Sequence, residues 1–193
     1  MDNTNGDIAT APAYKLHRTV VLVGMMGSGK TAIGRALAAR LGVDYLDSDE
    51  EIEKAANATI AEVFDRSGEP FFRDREAEVI ARLLQSDPCV LSTGGGAYLA
   101  DRNRAEISAH GVAVLLDADV DLLWDRVKHK DTRPLLRTPD PRATLVELFE
   151  ARAPIYAMAD LRAKADPDFS IERMTDEVLS VLLTRPDVLE RLT

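Results

Sequence analysis

Residues Gly24 to Thr31 read GMMGSGKT and fill the pattern G-x-x-x-x-G-K-[ST] at every specified position. Glycines let successive backbone N–H groups turn inward as an anion nest, Lys30 adds a point charge suited to β- and γ-phosphates, and Thr31 offers a hydroxyl to Mg²⁺. A chance match in a chain of this length arises about 1% of the time at background residue frequencies. The competing reading, a glycine-rich turn with Lys30 merely solvated, is correspondingly weak. Two carboxylates follow in Asp47-Ser48-Asp49. Asp47 is a candidate for holding Mg²⁺ through its waters, and Asp49 could face an acceptor hydroxyl. Asp49, Glu50 and Glu51 also suit a helix start, where the dipole favours acidic residues, and spacing leaves both readings open. Arg73 and Glu76 are three apart and can pair across one helix face, as a surface salt bridge would. Gly94-Gly95-Gly96 suits close approach of a ligand to the backbone, with a plain loop as the alternative. Lys128 to Pro141, KHKDTRPLLRTPDP, is basic and broken by prolines. It reads as a mobile lid over the phosphates, with Arg126 at its base and Arg133 within it, or as an ordinary surface loop.

These residues need a scaffold that aims them at one place. Thr19 to Val23 is short, apolar and β-branched, as a central strand buried on both faces should be. The helix after the loop, with Ile33, Leu37 and Leu41 on one face and Gly42 as its stop, points its positive end at the same phosphates. Val43 to Leu46 is a second strand, so Asp47 and Asp49 fall beyond a strand's carboxyl end, where open α/β sheets bind ligands. Ile60 to Phe64 is a helical fragment, broken by Ser67-Gly68-Glu69-Pro70 before a further helix to about Leu84. Cys89 to Leu91 and Gly111 to Asp117 are strands; helices follow over 120–128, 142–151 and 172–183, with a weak edge strand over 161–163. Trp124 reads as core.

A length of 193 residues favours one domain, expected over 18–185 with the lid over 128–141 and tails at 1–17 and 186–193. No apolar run approaches the roughly 18 residues of a membrane span, and the N-terminus lacks the basic and apolar regions of a signal peptide. The lone Cys89 suits a buried strand position and a reducing cytoplasm. His17, His110 and His129 form no metal spacing. A net charge of −9 argues against nucleic acid as a partner, so positive charge for anionic ligands must be local.

Taken together, GMMGSGKT, D-S-D after the second strand, GEPFFR, GGG after the third, RPLL in the lid and R-A-P-I-Y beyond it resemble the shikimate kinase family over about Arg18 to Tyr156. The resemblance implies an α/β P-loop kinase fold similar to nucleoside monophosphate kinases, with a five-stranded parallel sheet flanked by helices and a mobile lid. It implies transfer of a phosphoryl group from ATP to the 3-hydroxyl of shikimate, with Mg²⁺, by a cytoplasmic monomer that needs neither membrane nor nucleic acid. It assigns Gly27, Ser28, Gly29, Lys30, Thr31, Ala32, Arg126 and Arg133 to the nucleotide, and Thr31 and Asp47 to the metal. Asp49, Arg73, Gly94, Gly95, Gly96 and Arg152 go to shikimate. Lys30, Asp49 and Arg133 are its catalytic group: Asp49 meets the ring hydroxyls and the 3-OH proton, Arg133 the transferring phosphoryl group. Arg73 and Arg152 together would grip the carboxylate, for which a guanidinium fork is selective. The resemblance weakens over Asp166 to Arg173, which offers no clear adenine-side residue. A gluconate kinase would share the P-loop and lid without the paired arginines; a GTPase would need N-K-x-D, which the sequence lacks.

Overall fold

The structure, a computed structural model, describes residues 13–129 and 134–192. Its elements in chain order are β1 (Tyr14–Leu16), β2 (Thr19–Val23), α1 (Lys30–Leu41), β3 (Tyr45–Asp47), α2 (Ser48–Ala56), α3 (Ile60–Leu84) and β4 (Val90–Ser92). They continue as α4 (Asp101–His110), β5 (Gly111–Asp117), α5 (Val120–Val127), α6 (Pro141–Tyr156), β6 (Leu161–Lys164), α7 (Ile171–Leu182) and β7 (Leu189–Arg191). Five strands form one parallel sheet in the order β3-β4-β2-β5-β6. β2 lies at its centre, every residue buried, with Val21 opposite Leu91 on one side and Ala113 on the other. A strand covered on both faces has no solvent side to alternate toward, which is why TVVLV is continuously apolar.

The chain builds outward from β2 to β4 and β3 on one side and to β5 and β6 on the other. The carboxyl ends of strands flanking such a reversal leave a crevice, and the phosphate loop opens there. α1 packs on the sheet through Ile33, Gly34, Leu37, Ala38 and Leu41. Gly34 is required at that contact, since a Cβ would come within 2.6 Å of the Tyr45 ring. α7 buries Met174, Val178, Leu179 and Leu182 beside α1. At about 1.5–3 kcal/mol for each buried side chain, that packing, rather than propensity, holds a helix too short to persist alone. No helix among the described residues is long and apolar enough to cross a membrane.

Four features differ from the sequence expectations. Leu16 and Leu189 pair in an antiparallel ribbon of β1 with β7, tied further by His17 N–H to the Val188 carbonyl at 2.8 Å, so parts of both expected tails are structured. Val188 and Leu189 are buried, a hydrophobic signal two residues long and too short to show periodicity. α4 was not anticipated, because DRNRAEISAH buries only Asn103 and Ile107. α6 runs on through Pro154 to Tyr156 instead of ending at 151. The break expected near Gly68 appears as a kink inside α3, where Gly68 has φ 76° and ψ 172°.

Candidate active site

The phosphate loop joins β2 to α1 through Gly24, Gly27 and Gly29, all at positive φ, where a side chain is strained. Gly27 is also confined: a Cβ would meet the Val127 side chain at 2.7 Å. Lys30 Nζ donates to the Gly24 carbonyl at 2.7 Å and the Met25 carbonyl at 3.1 Å, laying its charge along the loop. Arg126, from the last turn of α5, donates through Nη1 to the Gly27 and Ser28 carbonyls, each at 3.3 Å. Two cations therefore brace this loop, and the start of α1 adds its dipole.

Asp47 ends β3 and caps α2. Its Oδ1 accepts the Asp49 N–H at 2.9 Å and its Oδ2 the Tyr45 hydroxyl at 3.3 Å. Asp49 stands in the first turn of α2 with Glu50 and Glu51, so it does occupy a helix start. It also lines the cavity, so a place at the helix start does not exclude a place in the site. Burial, then the neighbouring Asp47 and Glu76 charges, push its carboxyl up to about 6, with Lys30 pulling the other way. A carboxylate that titrates near neutrality is the usual condition of a general base.

Beyond the α3 kink, Phe72 turns into the core against Phe64, and Arg73 turns toward the glycine loop. Arg73 and Glu76 do pair, Nη1 to Oε2 at 2.9 Å, but not as a surface salt bridge, because Glu76 is only 1% exposed. Burial pushes the Glu76 carboxyl up against the pull of Arg73. Exposed Glu69 meets the other side of the guanidinium, Oε1 to Nη2 at 3.3 Å. Glu76 is a site neighbour that sequence spacing located without revealing that it faces inward.

The glycine run after β4 is folded tightly among these groups. A Cβ on Gly94 would sit 2.6 Å from Asp49 Oδ1, and one on Gly96 2.9 Å from both Nη atoms of Arg73. Gly94 N–H donates to Ser48 Oγ at 3.3 Å, and Thr93 Oγ1 to the Leu22 carbonyl at 3.2 Å. Arg152, on α6, reaches the Gly95 carbonyl through Nη1 at 3.5 Å, and the Tyr156 hydroxyl donates to the same oxygen. At Gly94 and Gly96 it is the protein's own side chains that crowd the backbone, while Gly95 has space to 3.8 Å.

A cavity of about 490 Å³ gathers most of the expected residues: Gly27 to Ala32 on one wall, Asp47 and Asp49 on another, Gly94 and Gly95 on a third, with Arg126 at the rim. Arg73, Gly96 and Arg152 are not among its lining residues; Arg73 abuts Gly96 and Arg152 abuts Gly95. Arg133 and the lid segment 130–133 lie outside the described residues. Phe169, Ser170 and Ile171 complete the far end of the cavity. These three were missed in the sequence, where the run from Asp166 shows neither period nor motif. Ser170 caps α7 by accepting the Arg173 N–H at 3.1 Å, and a serine directly before the apolar-periodic run was the signal available for that helix start.

Comparison with known proteins adds to this geometry. The family model described as shikimate kinase matches residues 26–183. The chain belongs to the shikimate kinase family. A shikimate kinase of Ruegeria pomeroyi is 66% identical over 178 residues, covering 92% of this chain and 91% of that one. One of Cereibacter sphaeroides is 61% identical, covering 91% and 88%. Among solved structures, the shikimate kinase from Acinetobacter baumannii in complex with shikimate superposes with a TM-score of 0.80 at 36% identity, over 86% of this chain and 93% of that one. The five-stranded parallel sheet and P-loop are those of the family's nucleotide-kinase fold.

Proposed function

We propose that this protein transfers the γ-phosphoryl group of ATP to the 3-hydroxyl of shikimate, giving shikimate 3-phosphate and ADP. The observation that carries the reading is one cavity in which the phosphate loop faces a carboxylate raised to about 6, with two arginines abutting the adjoining glycine run. Loop amides and Lys30 take the β- and γ-phosphates. Arg126, with Phe169 to Ile171, flanks the base. Arg73 and Arg152 hold the shikimate carboxylate, and the glycine run lets the ring lie against backbone.

Asp49 accepts the proton as the 3-hydroxyl oxygen bonds to the γ-phosphorus and the bond to the β–γ bridging oxygen breaks; ADP leaves with that electron pair. Such a transfer asks the protein mainly for positioning and charge. Arg133 supplies charge to the moving phosphoryl group from the lid. Thr31 and Asp47 suit Mg²⁺: both offer hard oxygens, and each Asp47 oxygen makes one protein hydrogen bond, leaving lone pairs for metal-bound water. Among the described residues no three or more His, Cys, Asp or Glu side chains cluster as a metal cage, which suits an ion that arrives with the nucleotide. When bound, that ion offsets negative charge on the phosphate oxygens. The net charge of −9 supports small anionic ligands drawn by local cations over a polyanionic partner.

The test is ADP release on adding shikimate, set beside gluconate and nucleoside monophosphates. Release with shikimate alone supports the reading; turnover of gluconate at a comparable kcat/KM overturns it.

A further inference from the structure

The carbonyls of the glycine run are satisfied in two ways. Gly94 O accepts the Ala97 N–H and Gly96 O the Leu99 N–H, each at 3.1 Å, within the local turn. Gly95 O depends on α6, taking the Tyr156 hydroxyl and, at the long distance of 3.5 Å, Arg152 Nη1. Arg152 and Tyr156 are four apart, so they share one face of α6, and both reach this one oxygen. Tyr156 is 3% exposed and stacks on Tyr98 with ring centroids 6.4 Å apart and an interplanar angle of 10°. Burial pushes its phenol up, against the opposing pull of the Arg152 charge, so the hydroxyl keeps its proton and remains a donor.

We propose that the Tyr156 hydroxyl is a positioning group for substrate binding: by holding the Gly95 carbonyl and pairing with Arg152 it keeps that guanidinium from closing onto the carbonyl and orients it toward the substrate carboxylate. The inference rests on the carboxylate role of Arg152 given above. A half-buried carbonyl keeps a hydrogen bond where a donor is in reach, and without the hydroxyl the other donor already directed at Gly95 O is Arg152. Its fork would then turn onto the protein's own backbone, and shikimate would have to compete for it. Tyr156 also ties the glycine run to the helix that follows the lid, so the wall and Arg152 move as one piece.

Tyr156→Phe removes the hydroxyl and keeps the packed ring. KM for shikimate is expected to rise about tenfold, the scale of one buried hydrogen bond, while KM for ATP and kcat at saturating shikimate stay within twofold. A merely structural role would instead lower the melting temperature by many degrees and impair both substrates, which would overturn the proposal. In an Arg152→Ala background the Tyr156→Phe penalty should disappear, because its route is gone; additive penalties would also overturn it. If Arg152→Ala alone leaves the shikimate KM unchanged, the carboxylate reading of Arg152 has failed. If Arg152→Ala raises that KM and Tyr156→Phe does not, only the role given to Tyr156 has failed.

Discussion

Replacing Asp49 with Asn should stabilise the protein at neutral pH while abolishing most of its turnover. Its carboxyl is raised from 3.8 to about 6, chiefly by burial and then by Asp47 and Glu76. At about 1.36 kcal/mol per unit, charge at this position costs at most about 3 kcal/mol. Asp49 is partly exposed, and its charge gains about 0.3–1 kcal/mol from the α2 dipole. The net stabilisation expected of Asn is therefore about 1–2 kcal/mol, or about 2–8 °C in Tm for a chain of this size. The pH dependence has a definite sign. The folded state binds the extra proton between 3.8 and about 6, so unfolding free energy falls as pH rises through that window. The penalty is fully present above about 6 and absent below the unfolded value, so the advantage of Asn should shrink as pH falls toward 4. Urea unfolding of both proteins at pH 7.5 and pH 4.5 measures it. An Asp49→Asn variant no more stable than wild type at pH 7.5, or equally advantaged at both pH values, would refute the electrostatic argument. As general base, Asp49 should contribute about 10²–10⁴-fold to kcat; a variant within a few-fold of wild type would refute that role.

Lys30→Met should fold, with Tm within a few degrees by thermal melt, because Lys30 is itself half-exposed and bonds carbonyls of the loop rather than a buried charge; steady-state ADP release should nevertheless fall by orders of magnitude. Arg73 is better tested with Lys than with Ala, since Ala would strand the buried Glu76 without its cation. Arg73→Lys should raise the shikimate KM about tenfold or more by losing the fork, with little change in ATP affinity by calorimetry. Gly94→Ala, whose Cβ would press on Asp49 Oδ1 from 2.6 Å, should depress kcat, whereas Gly95→Ala, with its nearest contact at 3.8 Å, should be tolerated better when the two are assayed side by side.

Legibility followed locality. GMMGSGKT, the buried strand before it and the Gly42 stop of α1 each declare themselves within a few residues, and all three appear where expected. Resemblance gave Arg73 and Arg152 their substrate roles; spacing alone offered Arg73 a surface salt bridge with Glu76 and Arg152 no role. What stayed hidden depends on contacts across the chain. Glu76 reads as surface until α3 is seen to turn it inward. Tyr156 falls beyond the helix expected over 142–151 and carries no role of its own until its hydroxyl is found on a carbonyl 61 residues away. The β1–β7 ribbon joins segments from opposite ends of the sequence, and neither strand is long enough to carry a period of its own.

The glycine run explains how groups from three helices can serve one small substrate. Asp49 comes from the start of α2, Arg73 from α3 past its kink, and Arg152 from α6. Helices so differently connected would not hold a fixed spacing by themselves. Each instead abuts the same short segment: Asp49 at Gly94, Arg73 at Gly96 and Arg152 at Gly95. That segment is set by β4, which is paired on both sides within the sheet. Under the proposed roles, the distance from proton acceptor to carboxylate grip is thus fixed by the sheet and transmitted through residues without side chains. A rigid ring carrying hydroxyl and carboxylate at a constant span matches such a gauge without losing internal freedom. A flexible polyhydroxy acid must first be ordered to fit, at a cost in conformational entropy that the rigid ring avoids.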